Sequence, residues 1–314
     1  MSEMEYRGLG RTDLRLSLIG FGTAPLGGEY GTLDLAEAER AVHKAIDEGI
    51  TFFDSAPYYG RTVSEERLGK MLAGRRHKVV LATKIGRYDK ASFDFSPARV
   101  RSSVDESLQR LQTDHIDLIT AHDIEFGDRE QVINETIPTL REIQKQGKVR
   151  YVGISGLPLR ILADVAARAG VDYVLSYCHY NLLLRDLDTY LTPVLKERGI
   201  GLISASPLHM GVLTAQGAPP WHPAPDAVKQ AGKSVVELLE RNGVYPAIAA
   251  LRFSLNHPYV SSTLVGMLTT LEVETNLKAL DFRLNEGLLE EIDRIVVPVK
   301  NLTWPSGRPE NSDA

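Results

Sequence analysis

The feature that most constrains this chain is an eightfold alternation of short apolar runs with segments of helical periodicity. The apolar runs predict eight strands, at Leu18–Phe21, Thr51–Asp54, Val79–Lys84, Ile116–His122, Val149–Ile154, Tyr173–Ser176, Gly201–Ser204 and Ser262–Val265. Several runs are apolar at consecutive positions, which is typical of strands buried on both faces. Strands that alternate with helices predict a parallel sheet, and eight such units close into a (β/α)8 barrel.

Local signals predict where several helices begin and end. Asp34 and Glu37 are typical of a capping box at the start of the first long helix, and Gly49 predicts its end. Ser96 and Pro97 have the residue types of an N-cap and a first helical position. Three glycines predict helix ends directly before the following strand: Gly147, Gly170 and Gly199.

The chain is longer than the ~250 residues of a plain barrel, and the extra length falls in three places. Residues 1–16 predict a small N-terminal hairpin around Gly8-Leu9-Gly10, and residues 209–228 predict a loop rich in Gly, Pro and Ala. Residues 284–314 predict a helix and an irregular C-terminal extension over the barrel mouth. No linker or break in composition divides the chain, so we expect residues 1–314 to form a single domain.

A doubly wound α/β fold is the alternative to the barrel. The dinucleotide site of that fold has the pattern Gly-x-Gly-x-x-Gly after its first strand. Here Gly20-Phe21-Gly22 is followed by Pro25 and the third glycine is missing, which favours the barrel.

Composition and charge exclude several functions. Lys and Arg total 36 against 41 Asp and Glu, a net charge of −5, and no basic cluster marks a nucleic-acid groove or a membrane-surface patch. No apolar run reaches the ~20 residues that span a bilayer, and Met1–Asp13 lacks a signal-peptide pattern. The single cysteine, Cys178, excludes a disulfide framework and indicates a reducing compartment. We expect a cytoplasmic protein, monomeric or weakly dimeric, without nucleic-acid or membrane partners.

Four polar residues lie where predicted strands end, and this is the face that carries the active site in such barrels. Asp54, Lys84 and His122 end the second, third and fourth strands, and Tyr59 follows in the loop after Asp54. Each has a simpler interpretation. The aspartate could be a turn cap, the lysine a snorkelling surface residue, the histidine a hydrogen-bonded residue without a role, and the tyrosine an amphipathic rim residue. Lys84 follows the apolar run 79–82, so we expect it to be partly buried and to need a partner such as Asp54.

Metal binding is not expected. The segment His122-Asp123-Ile124-Glu125 contains possible ligands, but the chain has no His-Glu-x-x-His pattern and no further cluster of ligand residues. The carboxylates of this segment are therefore not interpreted as metal ligands.

The segment 52–60, Phe-Phe-Asp-Ser-Ala-Pro-Tyr-Tyr-Gly, resembles the signature of the aldo-keto reductase family. The strands ending in Thr83-Lys84 and Ala121-His122 stand at the spacings which that family uses, and the resemblance covers nearly the whole chain. Three further segments are similar to plant-type sugar dehydrogenases within the family: residues 178–180, 204–208 and 299–307. The resemblance implies a (β/α)8 barrel and an oxidoreductase that uses NAD or NADP.

The resemblance also implies roles for the four polar residues. The cofactor exchanges a hydride with the carbonyl carbon, and the protein supplies a proton and a charge field. Tyr59 is the implied acid/base; free tyrosine titrates near ~10, and a neighbouring ammonium such as that of Lys84 lowers this value. Asp54 would hold Lys84 charged and in place, and His122 would orient the substrate oxygen through a hydrogen bond.

By position, the resemblance implies contacts to the cofactor from Gly22, Thr23, Ser155, Tyr177, Ser206, Leu208, Gly211, Leu213, Gly266, Thr269, Glu272 and Asn276. Three positions depart from the family pattern. Gly156 replaces the asparagine that follows the serine at Ser155, and Tyr177 stands where the family has glutamine. Ala205 stands near the position of a tyrosine that usually stacks on the nicotinamide ring.

Glu272 predicts a preference for NAD over NADP. The family often has a basic residue at this position, four before Asn276, which pairs with the 2′-phosphate of NADP. A carboxylate there would repel this phosphate and could accept a hydrogen bond from a ribose hydroxyl. Thr269 and Glu272 also fit a capping box, and the two interpretations are compatible.

The implied reaction is oxidation of the anomeric carbon of a free aldose, of the L-galactose or L-fucose type, to the lactone. Asp123 and Trp304 are candidate substrate contacts, although Trp304 could equally be ordinary packing. An NADPH-dependent reductase of aldehydes or ketones is the alternative enzyme. A non-catalytic regulatory subunit on the same barrel is the alternative from another class, and the complete set of four polar residues argues against it.

Overall fold

The computed structural model describes residues 3–28 and 33–313. Within these ranges the strands are β1 (Tyr6–Gly8), β2 (Arg15–Ser17), β3 (Ile19–Gly22), β4 (Phe52–Asp54), β5 (Val80–Ile85), β6 (Arg87–Asp89), β7 (Ser92–Phe93), β8 (Ile116–Ala121), β9 (Val149–Gly156), β10 (Tyr173–Tyr177), β11 (Gly201–Ala205) and β12 (Ser262–Gly266). Strands β3, β4, β5, β8, β9, β10, β11 and β12 form a closed parallel barrel in chain order, and β12 pairs with β3 to complete it. All eight strands predicted from the sequence are present, with ends that differ by no more than two residues.

Helices connect the strands on the outside of the barrel. They are α1 (Leu35–Asp47), α2 (Val63–Met71), α3 (Pro97–Arg110), α4 (Arg129–Gln131), α5 (Ile137–Lys145), α6 (Leu159–Arg168), α7 (Leu187–Tyr190), α8 (Thr192–Arg198), α9 (Asp226–Arg241), α10 (Pro246–Leu255), α11 (Thr270–Lys278) and α12 (Glu286–Val296). A π-helical segment, Val132–Thr136, makes α4 and α5 continuous. Among the helices of the described ranges, none has the length and apolar character needed to cross a bilayer.

Two antiparallel hairpins add to the barrel. The predicted N-terminal hairpin is present as β1 and β2, paired from Tyr6 with Ser17 to Gly8 with Arg15. Leu9 and Leu16 from this hairpin are fully buried in the cluster that fills the barrel, together with Phe52 of β4. The hairpin therefore closes one end of the barrel. The second hairpin, β6 and β7, directly follows β5 at the other end.

The predicted helix signals hold in most places. Ser96 Oγ accepts a hydrogen bond from Arg99 N at the start of α3, and Asp34 Oδ1 accepts hydrogen bonds from Ala36 N and Glu37 N at the start of α1. The predicted loop over 209–228 ends early, because residues 226–228 already form the first turn of α9. An acidic residue in that turn, Asp226, is favourable at a helix N-terminus.

The capping box predicted for α1 is wrong in its second half. The Glu37 carboxylate does not return to its own N-cap; its Oε1 accepts hydrogen bonds from Thr270 N and Thr270 Oγ1, both at 2.7 Å. Thr270 begins α11, so this carboxylate finds two donors at the N-terminus of a neighbouring helix. The contact joins the first helix of the barrel to the helix that follows its last strand.

Candidate active site

The four polar residues singled out in the sequence lie together at the carboxyl ends of three adjacent strands. Asp54 is the last residue of β4, Lys84 lies near the end of β5, and His122 directly follows β8. Asp54 and Lys84 are 3% and 1% exposed, and His122 is 7% exposed. Parallel strand pairing brings these side chains to one mouth of the barrel.

The Lys84 ammonium is the centre of the arrangement. Its Nζ forms an ion pair with Asp54 Oδ1 and donates hydrogen bonds to Ser55 O at 2.7 Å and Tyr59 OH at 3.2 Å. It also lies 4.7 Å from the centroid of the Tyr59 ring. Burial raises the pKa of Asp54, and the Lys84 charge opposes that rise. A buried ammonium held this way is directed at a phenol oxygen, which it favours in the ionised form.

His122 is uncharged at neutral pH. Burial, reinforced by the charges of Lys84 and Arg87, holds the pKa of His122 well below its usual range. Its ring lies 6.0 Å from the Tyr59 ring centroid, in an edge-on orientation. A neutral imidazole beside a phenol can donate a hydrogen bond to a substrate oxygen without adding a charge to the site.

Asp123 lies beside His122 and is fixed by Arg87. One Asp123 oxygen, Oδ2, forms an ion pair with Arg87 and lies 3.6 Å from His122 Nε2. The Arg87 guanidinium stacks 3.9 Å from the ring centroid of Tyr58. The other oxygen, Asp123 Oδ1, is buried and has no hydrogen-bond partner among the described residues. This arrangement places a paired carboxylate next to the group that would orient the substrate.

The residues predicted to hold the cofactor lie on five segments around the same mouth. Ser155 Oγ, on β9, accepts a weak hydrogen bond of 3.4 Å from Asp123 N, and Tyr177 ends β10. Thr23, which follows Gly22 of β3, is fully buried, and its Oγ1 donates to Asp54 O at 2.9 Å. Thr23 therefore supports the backbone at the end of β4 in this structure, and cofactor contact from it stays a prediction.

The loop after β11 carries four of the predicted cofactor residues: Ser206, Leu208, Gly211 and Leu213. Ser206 and Gly211 have positive φ angles of 59° and 102°, which give the loop a tight course suited to an anion. The amides of Gly211 and Leu213 already donate to Leu208 O at 3.1 Å each. These two positions therefore shape the loop, and their N–H groups are engaged within it.

The N-terminus of α11, next to Gly266 at the end of β12, is occupied by two carboxylates. Thr269 Oγ1 accepts a hydrogen bond from Glu272 N at 3.2 Å, and Glu272 Oε2 accepts from Thr269 N and Leu268 N, which completes the predicted capping box. Glu37 Oε1 accepts a hydrogen bond from the N–H of Thr270, the residue after Thr269. Hydrogen bonds lower the pKa of Glu37 to about 2; the largest effect comes from the Thr270 backbone, followed by the Thr270 side chain and Arg40. Asn276, within α11, is 7% exposed.

Trp304 is buried, with 8% of its surface exposed. Its ring meets those of His209 and His222 edge-on, at centroid distances of 5.7 and 5.5 Å. This position favours the packing interpretation, and contact with a substrate stays a prediction. Trp221, the other tryptophan, is 55% exposed.

Two residues of the site were missed by reasoning from the sequence. Arg87 follows β5 without any motif, and only the position of the β6–β7 hairpin at the mouth brings it to Asp123. Glu125 was considered only as a metal ligand, yet it is fully buried and contacts the C-terminal tail. One signal of this role was present in the sequence: Gly156 departs from the family pattern, and in the structure it packs against Glu125.

Comparisons with known proteins assign the family. The model of the aldo/keto reductase family matches residues 18–297, so the chain belongs to that family and is an oxidoreductase. It is 46% identical to an L-galactose dehydrogenase of Arabidopsis thaliana, over 99% of this chain and 100% of the relative. It is 27% identical to a D-threo-aldose 1-dehydrogenase of a Pseudomonas species, over 89% of this chain and 94% of the relative.

A solved structure agrees with the barrel. An aldo-keto reductase from Bacillus halodurans, in its holo form, matches with a TM-score of 0.78 and 28% identity, over 93% of this chain and 96% of that one. The (β/α)8 fold predicted from the sequence is confirmed. The family uses nicotinamide cofactors.

Proposed function

We propose that this protein oxidises the anomeric carbon of a free aldose of the L-galactose type to the lactone, with NAD as the preferred oxidant. The observation that carries the chemistry is the buried Lys84 ammonium, held by Asp54 and directed at Tyr59 OH, with neutral His122 beside it. Similarity over nearly the full length of a protein that is named an L-galactose dehydrogenase supports the substrate class.

The side chains have separate roles at the substrate oxygen. The Tyr59 phenolate oxygen accepts the proton of the anomeric hydroxyl and becomes a phenol, and the adjacent Lys84 charge stabilises that phenolate beforehand. Asp54 and Ser55 O hold Lys84 in place. His122 donates a hydrogen bond that orients the same oxygen, and Asp123, whose Oδ2 lies 3.6 Å from His122 Nε2, is the candidate acceptor for a further sugar hydroxyl.

The cofactor fits the residues present. Small residues and tight turns surround the mouth: Gly22 ends β3, Gly266 ends β12, and Gly211 lies in the loop after β11. Together with Ser155 and Tyr177 these positions would hold the nicotinamide and the pyrophosphate. When bound, the cofactor supplies the hydride chemistry.

The carboxylates at the N-terminus of α11 support a preference for NAD. A helix N-terminus normally attracts a phosphate through its free N–H groups. Here Glu272 accepts the N–H groups of Leu268 and Thr269, and Glu37 accepts that of Thr270. A 2′-phosphate would therefore meet two negative charges and three engaged donors, whereas a ribose hydroxyl would meet good acceptors.

We predict that Glu272→Arg lowers the preference for NAD. The change removes one of the two carboxylates and adds a cation that can pair with the 2′-phosphate, so the NAD/NADP ratio of kcat/KM should fall by roughly tenfold or more. Titration calorimetry should show the same trend in binding: the dissociation constant of NADP should fall relative to that of NAD.

Glu274→Arg is the matched control, since it reverses a charge on the same helix at an exposed position that pairs with Lys44. This control should leave the ratio within about twofold, as expected of an exposed ion pair. A wild-type protein that already prefers NADP, or a ratio that Glu272→Arg does not alter, would contradict the assignment.

The proposed activity is tested with a panel of aldoses and simple aldehydes, following the absorbance of reduced cofactor with NAD and with NADP. Oxidation of L-galactose or L-fucose in preference to their D-isomers supports the proposal. Reduction of simple aldehydes with NADPH, without any oxidation of aldoses, would reject it in favour of an aldehyde or ketone reductase.

A further inference from the structure

Glu125 joins three segments of the chain at the barrel mouth. Its Oε1 accepts hydrogen bonds from Leu157 N, after β9, at 3.1 Å and from Ser306 Oγ, in the C-terminal tail, at 2.9 Å. Its backbone oxygen accepts from Arg308 N at 2.9 Å and Asn311 Nδ2 at 3.0 Å. Four hydrogen bonds from two distant segments therefore meet on this one residue.

Two glycines make room for this residue. A Cβ placed on Gly156 would overlap Glu125 Oε2, and a Cβ placed on Gly307 would overlap the Glu125 backbone. Gly307 also has a φ of +81°, which favours glycine. The glycine that departs from the family pattern after Ser155 is thus matched to a carboxyl group that fills the space of its missing side chain.

The surroundings of the Glu125 carboxyl favour its uncharged form. No cation pairs with it among the described residues; Asp123 nearby is paired with Arg87, and the Arg308 side chain turns to Phe126 O and Asp128. Burial, reinforced by the Asp123 charge, raises the pKa of Glu125 to about 8. Burial, reinforced by Asp123 and Glu125, likewise raises the pKa of Tyr177.

The tail that Glu125 holds contacts loops on the rim of the barrel mouth. Residues 306–313 lie against the loops after β8 and β9, where Asp313 Oδ2 also accepts a hydrogen bond from Leu159 N at the start of α6. Two residues before Ser306, Trp304 packs on His209 and His222 in the loop after β11. The tail thus connects the loops after β8 and β9 with the loop after β11, on the same rim of the barrel as Asp123.

We propose that Glu125 is a positioning residue of the substrate site, which fixes the C-terminal tail, residues 300–313, on the rim of the barrel mouth. The nature of the substrate rests on the proposed function. Glu125 does not contact Lys84, Tyr59 or Asp54 in the hydrogen bonds of the described residues, so it should act on substrate affinity and leave the chemical step nearly intact.

The test compares Glu125→Gln, Glu125→Ala and Ser306→Ala. Glutamine keeps an oxygen for Leu157 N and Ser306 Oγ and stays uncharged, so at pH 7 it should retain the KM for the aldose within about twofold. Glu125→Ala should raise this KM by roughly tenfold, because it leaves Leu157 N and Ser306 Oγ without their acceptor. Ser306→Ala should raise it by less, because Glu125 Oε1 keeps its hydrogen bond from Leu157 N. In both, kcat should stay within about threefold of wild type.

The pH dependence separates the charge of Glu125 from its shape. Above pH about 8 the wild-type carboxyl ionises next to Asp123, so the KM for the aldose should rise with pH. Glu125→Gln has no proton to lose, and its KM should stay flat over the same range. An alkaline rise that is identical in wild type and Glu125→Gln would overturn the proposal.

A structural measurement keeps the inference independent of the substrate. Hydrogen-exchange protection factors of residues 306–313 should fall in Glu125→Ala and stay at the wild-type level in Glu125→Gln. In a Trp221→Phe background, Trp304 is the sole tryptophan, and its emission should shift to the red with Glu125→Ala. If wild type oxidises no aldose but these signals change as expected, the proposed function fails and the positioning role stands. Unchanged protection and emission in Glu125→Ala would overturn that role.

Discussion

Tyr59→Phe is expected to lose about 10²–10⁴ of kcat while the affinity for the cofactor stays nearly unchanged. The ring and its place over the Lys84 ammonium remain, so the fold should be kept. Only the hydroxyl that lies 3.2 Å from Lys84 Nζ is removed, and with it the proton acceptor for the substrate. Steady-state turnover at saturating substrate and cofactor binding by fluorescence measure the two effects separately.

Tyr58→Phe is the matched control for this change. It removes a hydroxyl from the adjacent ring, whose stacking on the Arg87 guanidinium at 3.9 Å a phenylalanine can maintain. A loss of less than about tenfold is expected, as for a single hydrogen bond. If Tyr59→Phe retains wild-type kcat, or if both variants lose activity equally, Tyr59 is not the proton carrier.

Lys84→Met should remove activity at neutral pH and also destabilise the protein by about 3–5 kcal/mol, since Asp54 is left buried without its ion pair. Any remaining oxidation should shift to alkaline pH, where Tyr59 ionises without help. Burial raises the pKa of Asp54, so the variant keeps this carboxyl protonated and loses stability as pH rises above the usual range of an aspartic acid.

A double variant separates the two consequences. Asp54→Asn with Lys84→Met replaces the charged pair by uncharged groups, so it should regain much of the stability, measured by urea denaturation at pH 5 and 8. Activity at neutral pH should not return, because the ammonium beside Tyr59 is still absent. Recovery of turnover in the double variant would show that Lys84 matters only for stability.

Sequence reasoning was sufficient for the barrel because strand burial is a local property. The apolar runs around Val149 and Ser262 are recognisable without knowing what covers them, and closure follows from their number. The same reason explains why the positions of Asp54, Lys84 and His122 could be predicted: the end of each strand fixes where its last side chains lie.

The remaining parts of the site depend on contacts between segments that are far apart in sequence. Nothing near Glu125 indicates that Ser306, 181 positions away, donates a hydrogen bond to it. Arg87 meets Asp123 only because a short hairpin bends back over the mouth. The sequence around Glu37 predicts a capping box within its own helix. Its carboxylate instead accepts a hydrogen bond from Thr270, because the N-terminus of α11 is adjacent in space.

The Glu37–Thr270 contact has a consequence for how the barrel assembles. It lies at the junction of the first and last βα units, between residues 233 positions apart, where β12 must find β3. Contacts of such long separation carry the largest loop-closure cost and are expected to form late. The N-terminus of α11, where the ribose hydroxyl of NAD is proposed to bind, lies at this same junction, so bound NAD would stabilise the last part of the barrel to close. Hydrogen exchange should therefore show the junction opening first in the free protein and becoming protected with NAD; equal protection of β3, β12 and β8 without NAD would contradict this.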